Sequence, residues 1–512
     1  MNTAPPEPTT PLSAVIRKWA IRLGIALLIF EVFYLIAGNV LLRSGLLTEL
    51  INKKPEKTDI TWQSAATYLP GVASVSGFEL RSQTGKDQIY LKVAQARTRI
   101  SLVGLLFKTI HLRSVDAEDV DFRYRRRLDR PPKAGQEEDT VGEPENTEYW
   151  PEIPGWSNPP DPKPEDLYPV KKKKHPWAIK ITGAEVAGPI RVALGDVRIE
   201  GEGWVGGGVI VKPRETITIR RGRLGLDSAR VMFGPEVVTD DLALDADLRF
   251  EPFPAKGAKI PDILSGVSGE LSLSGNLSEK AAVSHEITPG ISTFGAGTVT
   301  ADLELKKGIV RAGSEYSLQS DAFQLRVMGL DAGGSATASG QTVKEKGEHV
   351  TRMQIEFGEF QFVDPDDGSV DISGTGISLD AEWHGLSITG HVPASSVALE
   401  LPTAEIHDIG TFNALIPDTA DLALESGTGQ LKAVLEIKDR VATGALDLVA
   451  EKIDLESHGT PLDGDLEVRA NLARGDLQSK RFDPSGTTVL LDEIVNRSLS
   501  EKKQAKLDPW YC

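Results

Sequence analysis

Residues with chemical potential are present in this chain, but not at spacings that build a reaction centre. The histidines His111, His175, His285, His349, His384, His391, His407 and His458 are scattered along 512 residues. His384 and His391 come closest, on what reads as two sides of a hairpin, which suits surface side chains better than metal ligands. Gly206-Gly207-Gly208 has the composition of a phosphate cradle. No helix start or Lys-Ser/Thr follows it, so a turn is expected there. Asp364-Pro365-Asp366-Asp367-Gly368 has the acidity of a calcium loop without the alternating ligands or the closing Glu. The signatures G-x-x-x-x-G-K-[ST] and H-E-x-x-H are absent. Cys512 is the only cysteine, which rules out an intramolecular disulfide and a cysteine metal site. No carboxylate pair is marked out as acid and base. The expectation is a protein that is not an enzyme and uses no cofactor or metal.

The one charged group in an unusual setting is Glu31. It lies inside residues 23–42, LGIALLIFEVFYLIAGNVLL, bounded by Leu23 and Leu42 and flanked by Arg22 and Arg43. At about 1.5 Å per residue this stretch makes a helix roughly 30 Å long, the thickness of a bilayer core. A cleaved signal is the competing reading, but its apolar run is shorter and ends in a small-x-small site, whereas Leu35-Ile36-Ala37 starts with a large residue. An uncleaved anchor over 15–43 is therefore expected. Glu31 is read either as protonated in the bilayer or as a contact to a polar group on a partner helix. Arg17, Lys18 and Arg22 precede the span and Arg43, Lys53, Lys54 and Lys57 follow it, so the count alone does not choose; the N-terminal charges lie closer as a group, which tilts the reading to a cytoplasmic N-terminus.

The rest of the chain reads as strands. Hydrophobic residues make up 40%, aromatics 6%, and glycines number 49, a mix that suits short strands and turns. Net charge is −17, yet residues 1–130 hold 19 Lys and Arg against 12 Asp and Glu. The basic end is thus the membrane end, and the acidic remainder argues against nucleic acid as a partner. Residues 1–14 read as a disordered tail. Residues 44–128 read as a small α+β cap, with a short helix or turn at 62–68, a turn at Pro70-Gly71, and alternating strands after it. Residues 129–176 hold eleven prolines and read as an acidic linker or loop; Tyr149, Trp150 and Trp156 read as solvated, as touching a membrane surface or as covering an edge strand, and Lys171 to Lys174 as a solvated basic run or a contact to anionic headgroups. Residues 177–495 alternate apolar and polar side chains with period two, segment after segment. Residues 496–512 read as a polar tail, its final Trp510-Tyr511 a strand cut short.

An apolar sheet face must be covered. Two packings remain open from the residues alone: a closed sandwich, or an open trough lined by small aliphatics. The candidate lining residues are Val299, Leu303, Leu305, Leu325, Ile355, Phe357, Leu379, Leu399, Leu446 and Leu448.

A resemblance bears on this choice. Pro70-Gly71, Ala96-Arg97-Thr98-Arg99, Ile100-Ser101-Leu102 with Leu105-Leu106, and the basic run from Arg123 to Arg127 follow a single N-terminal span. Over about 60 residues this resembles the start of the AsmA-like, TamB–YhdP family of envelope proteins, distant relatives of the bridge-like lipid transfer proteins. The resemblance implies a mainly β fold, an elongated, curled antiparallel sheet forming an open groove. It implies a bacterial inner-membrane protein with its bulk in the periplasm. It also implies phospholipid as partner, carried between the inner and outer membranes, with an outer-membrane or second periplasmic protein completing the route. The alternative is outer-membrane protein assembly through exposed strand edges.

Overall fold

The computed structural model describes residues 12–128, 147–163, 177–212, 215–254, 260–278, 285–288, 291–327, 330–363, 370–389, 394–415, 422–476, 481–499 and 510–511. The chain is mainly β, one large mixed sheet preceded by one apolar helix long enough to cross a membrane. It divides into two compact units, residues 1–224 with 252–257, and residues 225–251 with 258–512.

In the first unit, α1 (Leu12–Arg43) carries the apolar stretch, and α2 (Leu46–Ile51) follows. Then come β1 (Thr58–Thr61), β2 (Ser64–Leu69), β3 (Val72–Gln83) and β4 (Asp87–Ile100). The short α3 (Leu102–Leu106) leads into β5 (Thr109–Arg126). The unit goes on with β6 (Ala178–Leu194) and β7 (Val197–Lys212), and β8 (Thr216–Phe233) runs across the division. The expected helix or turn at 62–68 is mostly β2, which pairs with β3. Its residues answer to the sheet edge rather than to local propensity. The turn at Pro70-Gly71 is present, with Gly71 at φ 78°, which the glycine adopts without strain. The Gly206-Gly207-Gly208 run is strand, not turn. A Cβ at Gly208 meets the carbonyl oxygens of Thr182 and Ile181 at 2.7 and 2.9 Å, so a close backbone approach explains the glycine.

β5 and β6 pair in parallel, from Thr109 beside Ala178 to Tyr124 beside Leu194. The sheet is therefore mixed, not antiparallel throughout. A parallel pair needs a long crossover, and the Pro-rich stretch supplies it. The first strand after that stretch thus belongs with the cap, and the division of the chain falls near residue 224 rather than at the linker.

The second unit begins within β8 and contains β9 (Glu236–Phe250), α4 (Ile260–Leu264), β11 (Val267–Leu277), β12 (His285–Thr288), β13 (Ile291–Lys306) and β14 (Ile309–Val310); the two-residue β10 (Phe253–Pro254) pairs back to β8 in the first. It continues through β15 (Glu315–Val327), β16 (Leu330–Glu345), β17 (Glu348–Val363), β18 (Val370–Thr375), β19 (Ser378–His384) and β20 (Ser396–Ile406). A 3-10 turn, Ile409–Leu415, precedes β21 (Leu422–Lys438), β22 (Val441–Ser457), β23 (Thr460–Asp476), β24 (Arg481–Asp483), β25 (Thr488–Asn496) and β26 (Trp510–Tyr511). Rows of apolar residues cross these strands in register. Leu318, Ala338, Ile355, Leu379, Leu399 and Leu435 are successive cross-strand partners.

Candidate functional site

The ten residues expected to line a groove all lie in the second unit. There the curl of the sheet goes further than an open furrow. β13, β15, β16, β17 and β19 are hydrogen-bonded in sequence. The residues just after β19 then return to β13's side of the ladder. The Val310 amide donates to the Leu386 carbonyl at 2.9 Å, the Ile388 amide donates to Gly308 at 2.9 Å, and Ile309 bridges to Ser387. β14, which carries Ile309 and Val310, is paired to β13. The ladder thus closes on itself through a strap at 386–388.

Inside that closure the apolar side chains are packed. Leu325, Ile355 and Leu379 are 1%, 1% and 0% exposed, and Leu305, Phe357 and Leu448 are also buried. Val299, Leu303, Leu399 and Leu446 are half-buried. Phe323 and Phe357 meet edge to face with ring centroids 5.5 Å apart, and Phe360 and Trp383 join the same interior. These aromatics fill the space that small aliphatics leave. Ile409 and Phe412 of the 3-10 turn pack on the cluster too, held by Asn413, whose side chain exchanges two hydrogen bonds with Leu424.

The polar face of this unit carries a concavity of about 730 Å³ lined by Asp302, Glu315, Arg352, Asp380 and Glu382, among others. Its charges do not suit an acyl chain. His384 pairs with Glu348 and Glu382 on the surface. His391 and Asp364 to Gly368 lie outside the described residues, as do Lys171 to Lys174.

In the first unit the same alternation has a different outcome. Cross-strand rows again run in register: Leu91, Phe122, Val192 and Ile199 in one, Ala96, Ala117, Val186 and Val205 in another, Leu112, Ile181 and Val209 in a third. Val93, Ala117 and Ile190 at the middle of this face are buried. Leu91, Phe122, Val192, Ile199, Val186, Val205, Ile181 and Val209 stay only half-buried, and Ile110 and Ile179 are 38% exposed. This is an apolar face four strands wide, β4 to β7, less tightly packed than the interior of the second unit.

The described part of the Pro-rich crossover leaves that face free because it lies on the opposite one. Tyr90, Arg123, Arg198, Gln88 and Arg125 alternate with the apolar rows. Arg125 is fully buried. Its guanidinium donates to Gln88 Oε1 at 2.9 Å, Asn158 Oδ1 at 3.1 Å, and the carbonyls of Pro151 and Ser157 at 3.2 and 2.7 Å. Arg123 donates to the Glu152 carbonyl at 2.8 Å and stacks over Tyr90. Arg127 reaches the carbonyls of Asp161 and Pro162. The basic run thus serves as a clamp on residues 151–162, and Trp150 and Ile153 are buried rather than solvated. Sequence reasoning missed this because most of the acceptors on 151–162 are main-chain carbonyls, which leave no trace in composition.

Among the described residues no group of His, Cys, Asp and Glu is arranged to hold a metal. Neither a scan against protein-family models nor searches of curated proteins and solved structures found a match.

Proposed function

We propose that this chain is a single-pass membrane protein that holds phospholipid acyl chains against the apolar face of β4 to β7, in the service of lipid transport between two membranes. The observation that carries this reading is the contrast between the units. One alternating pattern has a centre packed to near-zero exposure in the second unit, at Leu325, Ile355 and Leu379. In the first, next to the span, it is left half-buried over four strands. An apolar face of that extent left only half-buried marks a binding surface in a folded protein, and a preceding helix fit to cross a bilayer supplies the ligand at hand. The orientation follows the charge pattern, with the N-terminus cytoplasmic and the sheet in the periplasm of a bacterial envelope. The ten candidates of the second unit then serve as structural core.

The test is native mass spectrometry of the full chain released from mild detergent. Co-purifying phospholipid that survives delipidation of the micelle, and is lost in a Phe122→Asp/Val192→Asp variant, supports the reading. Lipid-free protein overturns it. Capture of unfolded outer-membrane protein without lipid supports assembly instead.

A further inference from the structure

One end of the first unit exposes large apolar side chains unrelated to the half-buried rows. Tyr68 and Leu69 at the end of β2, and Val103, Leu106 and Phe107 at α3, are 64%, 56%, 62%, 81% and 76% exposed. A short hydrogen-bonded path ties them to the membrane helix. The Gly71 amide donates to the Tyr34 hydroxyl at 3.1 Å, and the Ile100 amide donates to the Gly71 carbonyl at 2.6 Å. A Cβ at Gly71 falls 3.9 Å from the Leu102 side chain, so α3 starts beside this corner. Asn39 holds β2 by two further bonds with Thr67, at 2.9 and 3.0 Å.

These contacts fix a depth. At 1.5 Å per residue, Tyr34 lies roughly 14 Å and Asn39 roughly 6 Å along the axis inside the Arg43 end of α1. Both belong to the stretch fit to cross the bilayer. The side chains of α1 that turn from solvent, at 31, 34, 35, 38, 39 and 42, form one stripe at helical spacing. The corner is attached along that stripe, beside the apolar segment of the helix rather than beyond its end. Lys108, Arg113 and Lys180 follow the tip along β5 and β6, where anionic headgroups offer them partners.

We infer that the tip formed by Tyr68, Leu69, Val103, Leu106 and Phe107 inserts into the lipid leaflet that surrounds the C-terminal half of α1. The occupant of this surface is hydrocarbon, and the tip and helix enter the leaflet as one body. The inference stands on the helix as a span and on its bonds to β2, and holds whether or not the sheet carries lipid.

The experiment uses the full chain with Cys512→Ser, which removes the only native thiol. Single cysteines at Leu106, Phe107 and Tyr68, and a control at Thr84 in the β3–β4 turn, are labelled with an environment-sensitive fluorophore. The proteins are reconstituted in phosphatidylcholine–phosphatidylglycerol vesicles with or without acyl-brominated lipid. Blue-shifted emission at the tip positions, quenched by the brominated lipid and shielded from aqueous iodide, with the reverse at Thr84, is the expected result. Iodide quenching at the tip equal to that at Thr84 overturns the inference. So does a dry label untouched by brominated lipid, which assigns the tip to a protein partner. Tyr68 and Leu106 lie on separate elements, so loss of one variant leaves the other to decide. Bound phospholipid is counted separately by mass spectrometry, which keeps the lipid-carrying reading out of this outcome.

Discussion

Asn39 and Thr67 bind each other twice, side-chain amide to main chain. Asn39 Nδ2 donates to the Thr67 carbonyl at 2.9 Å, and the Thr67 amide donates to Asn39 Oδ1 at 3.0 Å. A polar residue near the end of a helix long and apolar enough to cross a membrane thereby mimics a strand partner for the edge of the sheet. In a low-dielectric setting such groups are costly to leave unpaired. Asn39→Leu should lower stability in detergent by about 1–3 kcal/mol and make the 64–71 edge exchange amide hydrogens faster. Unchanged exchange at Thr67 contradicts the clamp.

Arg125 is the second fixed point. It is fully buried, and among the described residues its charge is met by Gln88, Asn158 and two carbonyls. Arg125→Met removes four hydrogen bonds and leaves the acceptors on the buried Gln88 and Pro151 unpaired, at a cost of about 2–4 kcal/mol. The visible result is release of the 147–163 segment to limited proteolysis while the strands remain folded by circular dichroism. Resistance equal to the parent excludes the clamp.

The strap at 386–388 closes the second unit. Leu386 packs on both apolar clusters of that unit. Leu386→Asp should open the closure, raise binding of an apolar dye and speed hydrogen exchange at Val310 and Ile388, whose amides bond across it. A Leu386→Ala change, which only thins the contact, should cost about 1–2 kcal/mol. If Leu386→Asp leaves dye binding and exchange as they were, the strap does not hold the ring shut.

Tyr316 gives a pH signature. Burial pushes its hydroxyl up from 10 to about 12, and its ring lies against Gly340 across the strand pair. The neutral form is favoured in the fold. Its contribution is therefore complete below pH 10 and is lost as pH rises from about 10 towards 12, by on the order of 2 kcal/mol. Burial raises Tyr90 and Tyr124 as well, so ultraviolet titration should show late tyrosinates, one fewer in Tyr316→Phe, and that variant should lose stability less steeply above pH 10.

Much of the fold is legible in the residue pattern because alternation with period two names the faces directly. The rows at Leu325, Ile355, Leu379 and Leu399 follow from it. What the pattern does not carry is which face a later segment covers. Leu386 and Ile388 read as two ordinary apolar residues, and their closing of the ladder depends on pairing with residues nearly 80 positions earlier. The same limit hid the clamp, since Arg125 selects carbonyls. β2 was misread because its pairing with β3 outweighs local propensity. The half-buried face of the first unit is equally alternating, and its alternation alone does not tell it from a packed core; the described part of the Pro-rich crossover, 147–163, lies on the other face.

The central claim is that the face crossed by Leu91, Phe122, Val192 and Ile199 receives acyl chains. A photo-crosslinking residue placed at Phe122 or Ile181 in cells, with Arg97 on the opposite face and Leu379 in the packed interior as controls, tests it most directly. The account predicts phospholipid adducts at Phe122 and Ile181 and none at Arg97 or Leu379. Adducts at Leu379 with none at Phe122, or no lipid adduct at any position, contradict it.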